Sequence, residues 1–290
     1  MVDDNQLGEY IRRVRTERKI RINAVTPGSV AKLSRFENGK TNLSNEDLFT
    51  VMHRLGVGID DLKPYFAQYQ SPFIRFAEDF LRERREMTLA RFNDLYRRYT
   101  SAQIAPGKLA GINQLMFKAL RAQLITKELV FLDMDVERQV ANLLRSNADW
   151  LQYDYVLFTL AVPFLQKNTV LELFDQMVAE VDQPADPYSD LRAAATSEVV
   201  LTLLLRGATI ELAEPVAELR RMHPQEVWGN DAVLKRYLLA RADAVVYPDQ
   251  ENRVTEGLLQ SFAILGLVKT SRYLRLIDAQ IDQAEAKVND

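Results

Sequence analysis

The stretch Ser34-Arg35-Phe36-Glu37-Asn38-Gly39-Lys40 constrains this chain more than any other: it is a short basic helix that stops at a glycine, well inside the N-terminal fifth. Apolar Val30, Leu33 and Phe36 recur every three residues and form one stripe. Successive helical residues turn by about 100°, so Ala31, Lys32, Arg35 and Asn38 come out on the other side. An apolar back with a small residue, cations and an amide in front suits a helix that enters a DNA major groove. There Arg reads guanine bidentately and Asn reads adenine. An ordinary amphipathic surface helix carries the same pattern, so the neighbouring residues have to decide.

Charge supports the first reading. The chain carries a net charge of −3, but residues 7–40 hold nine Lys/Arg against three acids, a local surplus of +6 that leaves −9 for the rest. A basic segment on an acidic chain is the footprint expected of phosphate binding. Upstream, Leu7, Ile11 and Val14 form the stripe of a helix from about Gln6 to Lys19. Arg12, Arg15 and Lys19 cluster on another face, as a ridge for phosphates or as solvated charge. Residues 20–28 hold a short second helix and a turn broken by Pro27-Gly28. Ser29 stands at the next N-cap, where its hydroxyl caps or meets a phosphate. Gly39 occupies the C′ position, and Lys40 beside it suits a phosphate better than a base. Glu37, at the edge of the stripe, reads as structural, holding backbone or an arginine. Ser44 with Asp47 resembles a capping box opening a fourth helix through Leu48, Val51, Met52 and Leu55. Gly56-Val57-Gly58 ends that helix, Ile59 to Leu62 begins a last turn, and Pro64 closes the domain.

The expected organisation is all-α. A five-helix helix-turn-helix domain over residues 1–66 precedes a linker at 67–72 and a helical-repeat domain over 73–290. Ser71-Pro72 starts the second part with Ser at N-cap and Pro at N1. Ten or eleven helices follow, with breaks near Ser101–Gly107, Phe131–Asp135, Ser146–Asp149, Gln166–Thr169, Gln183–Ser189, Arg206–Ala208, His223–Gln225, Pro248–Asn252 and Lys269. Pairs recurring every ~35–40 residues read as a TPR-like solenoid. A last amphipathic helix from about Thr270, carrying Tyr273, Leu274, Ile277 and Ile281, caps it or packs on a second subunit.

Catalysis finds little support. The chain has no cysteine and two histidines, His53 and His223, far apart in sequence. No phosphate-binding glycine loop, dinucleotide fingerprint or nucleophile elbow is present, and acids such as Asp60-Asp61 read as helix starts. No enzyme activity, cofactor or metal is expected. The N-terminus has no apolar signal region. The longest apolar run, about Tyr155 to Leu165, is broken by Pro163 and too short for a bilayer, so the expected location is the cytoplasm, with no membrane partner.

The segments LGEYIRRVRTERK and SRFENGKTNLSNEDLFTVMHRLGV resemble a helix-turn-helix of the xenobiotic-response-element type. With the pattern Trp150, Tyr153, Asp154, Leu157, Phe158 and the C-terminal stretch EGLLQSFAILGLVKTSRYLRLID, the chain resembles the Rgg/GadR/MutR transcriptional regulators nearly end to end. The resemblance implies a homodimer that binds double-stranded promoter DNA. It also implies a short hydrophobic signalling peptide on the concave face of the repeats, as in quorum sensing. Two departures stand out: the helix 2–turn segment INAVTPGSVAKLS is a residue or two shorter than usual, and Thr159-Leu160 replace the Gly-Asn that often follows Leu-Phe.

The candidate DNA-binding residues are Arg12, Arg15, Lys19, Ser29, Lys32, Arg35, Asn38 and Lys40. Arg35 leads them, its alternative being an ion pair with Glu37 or Glu9. Trp150, Tyr153 and Phe158 have the spacing of core residues, so no peptide-contact set emerges. Asp154 and Arg145 could orient peptide ends or simply face solvent. Two rival readings remain: a helix-turn-helix regulator that is constitutive or controlled by a protein partner, and a helical-repeat adaptor between proteins.

Overall fold

The computed structural model describes residues 6–66, 70–100, 107–127, 130–179, 187–222, 229–246, 253–264 and 266–289. Among these residues every regular element is helical. The chain divides into two compact units, Met1–Ser71 and Pro72–Asp290. Residues 67–69 of the expected linker at 67–72 and all or most of the breaks at Ser101–Gly107, Gln183–Ser189, His223–Gln225 and Pro248–Asn252 lie outside the described residues.

The first unit holds α1 (Gln6–Glu17), α2 (Ile22–Val25), α3 (Val30–Glu37), α4 (Asn45–Leu55) and α5 (Ile59–Phe66). Ile11, Val25, Leu33, Phe36, Val51, Leu55 and Leu62 form its core. Its ends follow local chemistry. The Ser44 hydroxyl accepts from Asp47 N at 3.2 Å, the cap of a helix whose first N–H groups lack partners. Gly39 (φ +66°) and Gly56 (φ +62°) end α3 and α4 in the left-handed region, which costs glycine nothing. Lys19 takes that same conformation (φ +55°) after α1, so the helix stops at Glu17, two residues before the expected end. Pro64 does not close the unit, because α5 runs through it to Phe66; a proline's fixed φ is helical and only one backbone bond is lost.

The second unit holds α6 (Pro72–Glu83), α7 (Leu89–Thr100), α8 (Lys108–Thr126), α9 (Met134–Arg145), α10 (Gln152–Ala161), α11 (Lys167–Ala179), α12 (Ser189–Leu205), α13 (Ala213–Arg221), α14 (Gly229–Val246), α15 (Arg253–Ile264) and α16 (Val268–Asn289). Alternate helices stack: α6 on α10, α10 on α12, α12 on α14. α9 packs on α11, while α13 fills the angle between α12 and α14. α12 is buried along nearly its whole length, from Arg192 to Leu204, and takes the central place of the unit, against α10, α11, α13, α14 and α16. α16 returns to pack on α15 and α12, burying Leu274, Ile277 and Ile281 within its own chain. A 3-10 turn at Arg84–Glu86 follows α6 and touches α16, where Lys269 pairs with Glu86 at 2.8 Å. No described helix is long and apolar enough to cross a membrane.

Candidate functional site

α3 is held from behind. Leu33, Phe36 and Glu37 are its buried residues, and α1 lies against that side. Gly8 of α1 is buried on the α3 backbone: a Cβ there would stand 3.0 Å from the Phe36 carbonyl carbon, 3.3 Å from Glu37 Cα and closer still to the Phe36 oxygen. Arg15 of α1 donates through Nε and Nη2 to both Glu37 carboxylate oxygens, at 2.6 and 2.7 Å, and through Nη1 to the Ile20 carbonyl at 3.2 Å. The pair is nearly dry, with side-chain exposures of 14% for Arg15 and 3% for Glu37. The Glu37 hydrogen bond raises the Arg15 pKa against the opposing effect of burial.

This corrects the phosphate ridge. Arg15 does not stand on an outer face with Arg12 and Lys19; it is spent inside the unit on Glu37, which therefore has the structural role its position at the stripe's edge implies. Arg12 and Lys19 are exposed, and Arg12 donates to Asn38 Oδ1 at 2.9 Å. Asn38 in turn donates to the Ser34 carbonyl at 2.6 Å, so the amide is oriented before any ligand arrives. Val30 is a second correction: it is 43% exposed, because at the first helical position it lies a turn away from where α1 crosses. Ser29 occupies the N-cap position without a side-chain capping bond, leaving its exposed hydroxyl to other partners. Lys32 lies toward α4 and pairs with Asp47 at 2.6 Å. Arg35 and Lys40 are exposed, and among the described residues Arg35 makes no side-chain hydrogen bond or ion pair. Arg13 (over the Tyr10 ring, 5.5 Å) and Arg21 join the exposed cations.

The Lys32 ammonium, with help from the Ser44 hydroxyl, holds the Asp47 carboxyl below its ordinary value. A carboxylate whose pKa falls on folding adds stability above the unfolded pKa and loses it as pH falls through the folded one. Lys32→Gln is therefore expected to raise the Asp47 midpoint toward the ordinary carboxylate value in a carboxyl NMR titration. An unmoved midpoint would mean that the pair is not populated.

The second unit contains a groove of about 220 Å³ between α6, α8, α10, α12 and α16. Phe80, Leu81, Leu120, Leu124, Leu201 and Ile277 make its apolar walls. Gln123, Thr202 and Gln280 supply neutral polar groups, and Thr159, which already donates to the Tyr155 carbonyl at 2.7 Å, adds an acceptor. Arg84 and Glu198 line it as an ion pair. The Trp150 pattern lies beside this groove rather than in it. Trp150, Leu157 and Phe158 are core, and Asp154 caps α10 by accepting from Leu151 N at 2.9 Å and Asn147 Nδ2 at 2.8 Å. Burial pushes the Tyr153 phenol well up, and its hydroxyl donates to Asn113 Oδ1 at 2.7 Å. Arg145 is paired with Glu172. The residues that do reach the groove, Thr159 and Leu160, are those standing where the family often has Gly-Asn.

No protein-family model and no curated protein sequence matches the chain. Solved structures do. The SHP pheromone receptor Rgg2 of Streptococcus dysgalactiae matches with TM-score 0.68 at 16% identity, over 94% of this chain and 99% of its own. A candidate transcriptional regulator of Listeria monocytogenes EGD-e matches with TM-score 0.76 at 14% identity, over 96% and 98%. PrgX, in its complex with cCF10, matches with TM-score 0.70 at 13% identity, over 96% and 92%. The first of these is a pheromone receptor and the second a transcriptional regulator by name. Identities this low speak to architecture, and the match spans both units: the chain has the fold of an Rgg-family regulator.

Proposed function

We propose that this chain is a cytoplasmic transcriptional regulator that binds promoter DNA through α3 and a short apolar peptide in the groove of its second unit. The observation that carries the DNA half is the unpaired, exposed Arg35 on a helix braced from behind by Gly8, Leu33, Phe36 and the Arg15–Glu37 pair. A rigid helix presenting a free guanidinium beside Ala31, Val30 and a pre-oriented Asn38 offers a fork for guanine, small apolar contacts for thymine methyl groups and an amide edge. Arg12, Arg13, Lys19, Ser29 and Lys40 surround it as phosphate contacts. Arg15 is left out of this set, and Lys32 enters it only by leaving Asp47.

The peptide half rests on the groove and on the fold shared with Rgg2 and PrgX. A peptide changes DNA binding only by its differential affinity for two states of the protein. Regulators of this build act as homodimers on half-sites about one helical turn apart, or a multiple of it, and we assign that assembly to this chain.

Arg35→Ala tests the first half in a salt-titrated anisotropy assay on the DNA upstream of the gene. Loss of a bidentate base contact weakens binding by about 1–3 kcal/mol, roughly fivefold to 150-fold, and relaxes discrimination at one base pair. If Arg35 meets a phosphate instead, the loss is uniform across sequences and the salt slope falls by about 1. Unchanged affinity with a flat salt response would sink the DNA reading and favour an adaptor between proteins.

A further inference from the structure

We propose that the Arg84–Glu198 ion pair is a charge filter in the groove, which makes the site selective for an uncharged apolar stretch of ligand. This rests on the reading of the groove as a peptide site. The pair spans the groove's wall, from the 3-10 turn after α6 to the middle of α12. Both side chains are largely removed from water, at 19% and 8% exposure. Among the described residues the other polar side chains on the lining, Gln123, Thr159, Thr202, Tyr273 and Gln280, carry no formal charge, so the site carries no net charge while the pair is closed.

A ligand carboxylate reaching Arg84 must compete with Glu198, which is tethered in place and already desolvated. A ligand ammonium meets the same obstacle from Arg84. Either one gives up its water for a wall that offers no net charge in return, the costly case for burying an ion. A neutral apolar side chain faces no such cost. At about 220 Å³ the groove is smaller than the roughly 300–1,000 Å³ of a drug-sized site. It is therefore a specificity pocket for a few side chains, not a container for a whole ligand.

The filter is reversible by mutation. Removing Glu198 takes from Arg84 the carboxylate that balances it in the groove wall and recruits acids; removing Arg84 takes from Glu198 its balancing cation and recruits bases. The experiment uses the full-length protein and three blocked leucine-rich pentapeptides with a central glutamine, glutamate or lysine, their binding read by ligand-observed NMR. The wild type is expected to bind the glutamine form about tenfold or more tightly than either charged form. Glu198→Gln shifts preference to the glutamate peptide, and Arg84→Gln shifts it to the lysine peptide. The double variant Arg84→Gln/Glu198→Gln, which removes both charges, keeps the neutral preference and serves as the folding control, and the inversion is read in whichever single variant folds. Binding with the same charge preference in every form overturns the filter and leaves the peptide reading standing. No binding of any of the three peptides to the wild type overturns the groove as a site for apolar peptides, and the filter with it.

Discussion

Glu37→Ala is expected to destabilise the first unit by about 3–5 kcal/mol, the cost of leaving one member of a buried ion pair without its partner. Arg15 would remain 14% exposed with two of its three donor groups facing nothing. For a unit of this size total stability is about 4–10 kcal/mol, so the substitution consumes much of it. Arg35→Ala, two residues earlier on the exposed side, should change stability by less than about 0.5 kcal/mol while weakening DNA binding. Double replacement separates pairing from packing: Arg15→Met with Glu37→Leu removes both charges and should recover most of the loss, because apolar substitutes of similar volume often equal a buried pair. Trp150 and Trp228, the two tryptophans of the chain, lie in the second unit, so tryptophan fluorescence does not report on this change. Native-state hydrogen exchange at α1 and α3 amides does. A Glu37→Ala protein with wild-type protection in α3 would mean that the pair contributes nothing.

The same helix shows what a sequence discloses and what it withholds. Gly39, Gly56 and Ser44 announced their helix ends because capping is local: the residues that make the bond lie within one turn. The all-α class was readable for a similar reason, since helical periodicity needs only a window of a dozen residues. Glu37 could be placed at the boundary of the apolar stripe, but its partner could not, because Arg15 lies 22 residues away and reaches it only after α1 has packed on α3. Periodicity assigns a face to a helix without saying what covers each end of that face. Val30 has the right phase for the core and yet is exposed, because α1 crosses further along. The groove was illegible for the stronger form of this reason: its lining comes from five helices between Phe80 and Gln280. Arg84 and Glu198 have nothing in their local sequence to join them across 114 residues. The Trp150 pattern pointed to the right helix but to its core side, and the groove begins one residue past the motif.

Gly8→Ala is expected to cost the first unit about 3 kcal/mol or more, the upper end of what overpacking does, although it is the substitution that ordinarily helps a helix. In an exposed helix interior, alanine for glycine gains about 1 kcal/mol. Gly111 within α8 and Gly257 within α15 are such positions, since a Cβ at either meets nothing within 4 Å, and alanine there should raise stability by roughly 0.5–1 kcal/mol. At Gly8 the neighbour is the backbone of Phe36 and Glu37. A flexible side chain could swing aside, but a peptide group at the end of α3 cannot move without taking the helix with it. Relief must come from α1 backing away, which opens the contacts among Ile11, Leu33 and Phe36 and stretches the Arg15–Glu37 pair. The consequence reaches function, since α3 loses the support that presents Arg35, and DNA affinity should fall with stability rather than independently of it. Hydrogen exchange on the three alanine variants decides the matter. If Gly8→Ala protects α1 as well as Gly111→Ala protects α8, then α1 and α3 do not approach backbone to backbone, and the braced recognition helix is wrong in its geometry.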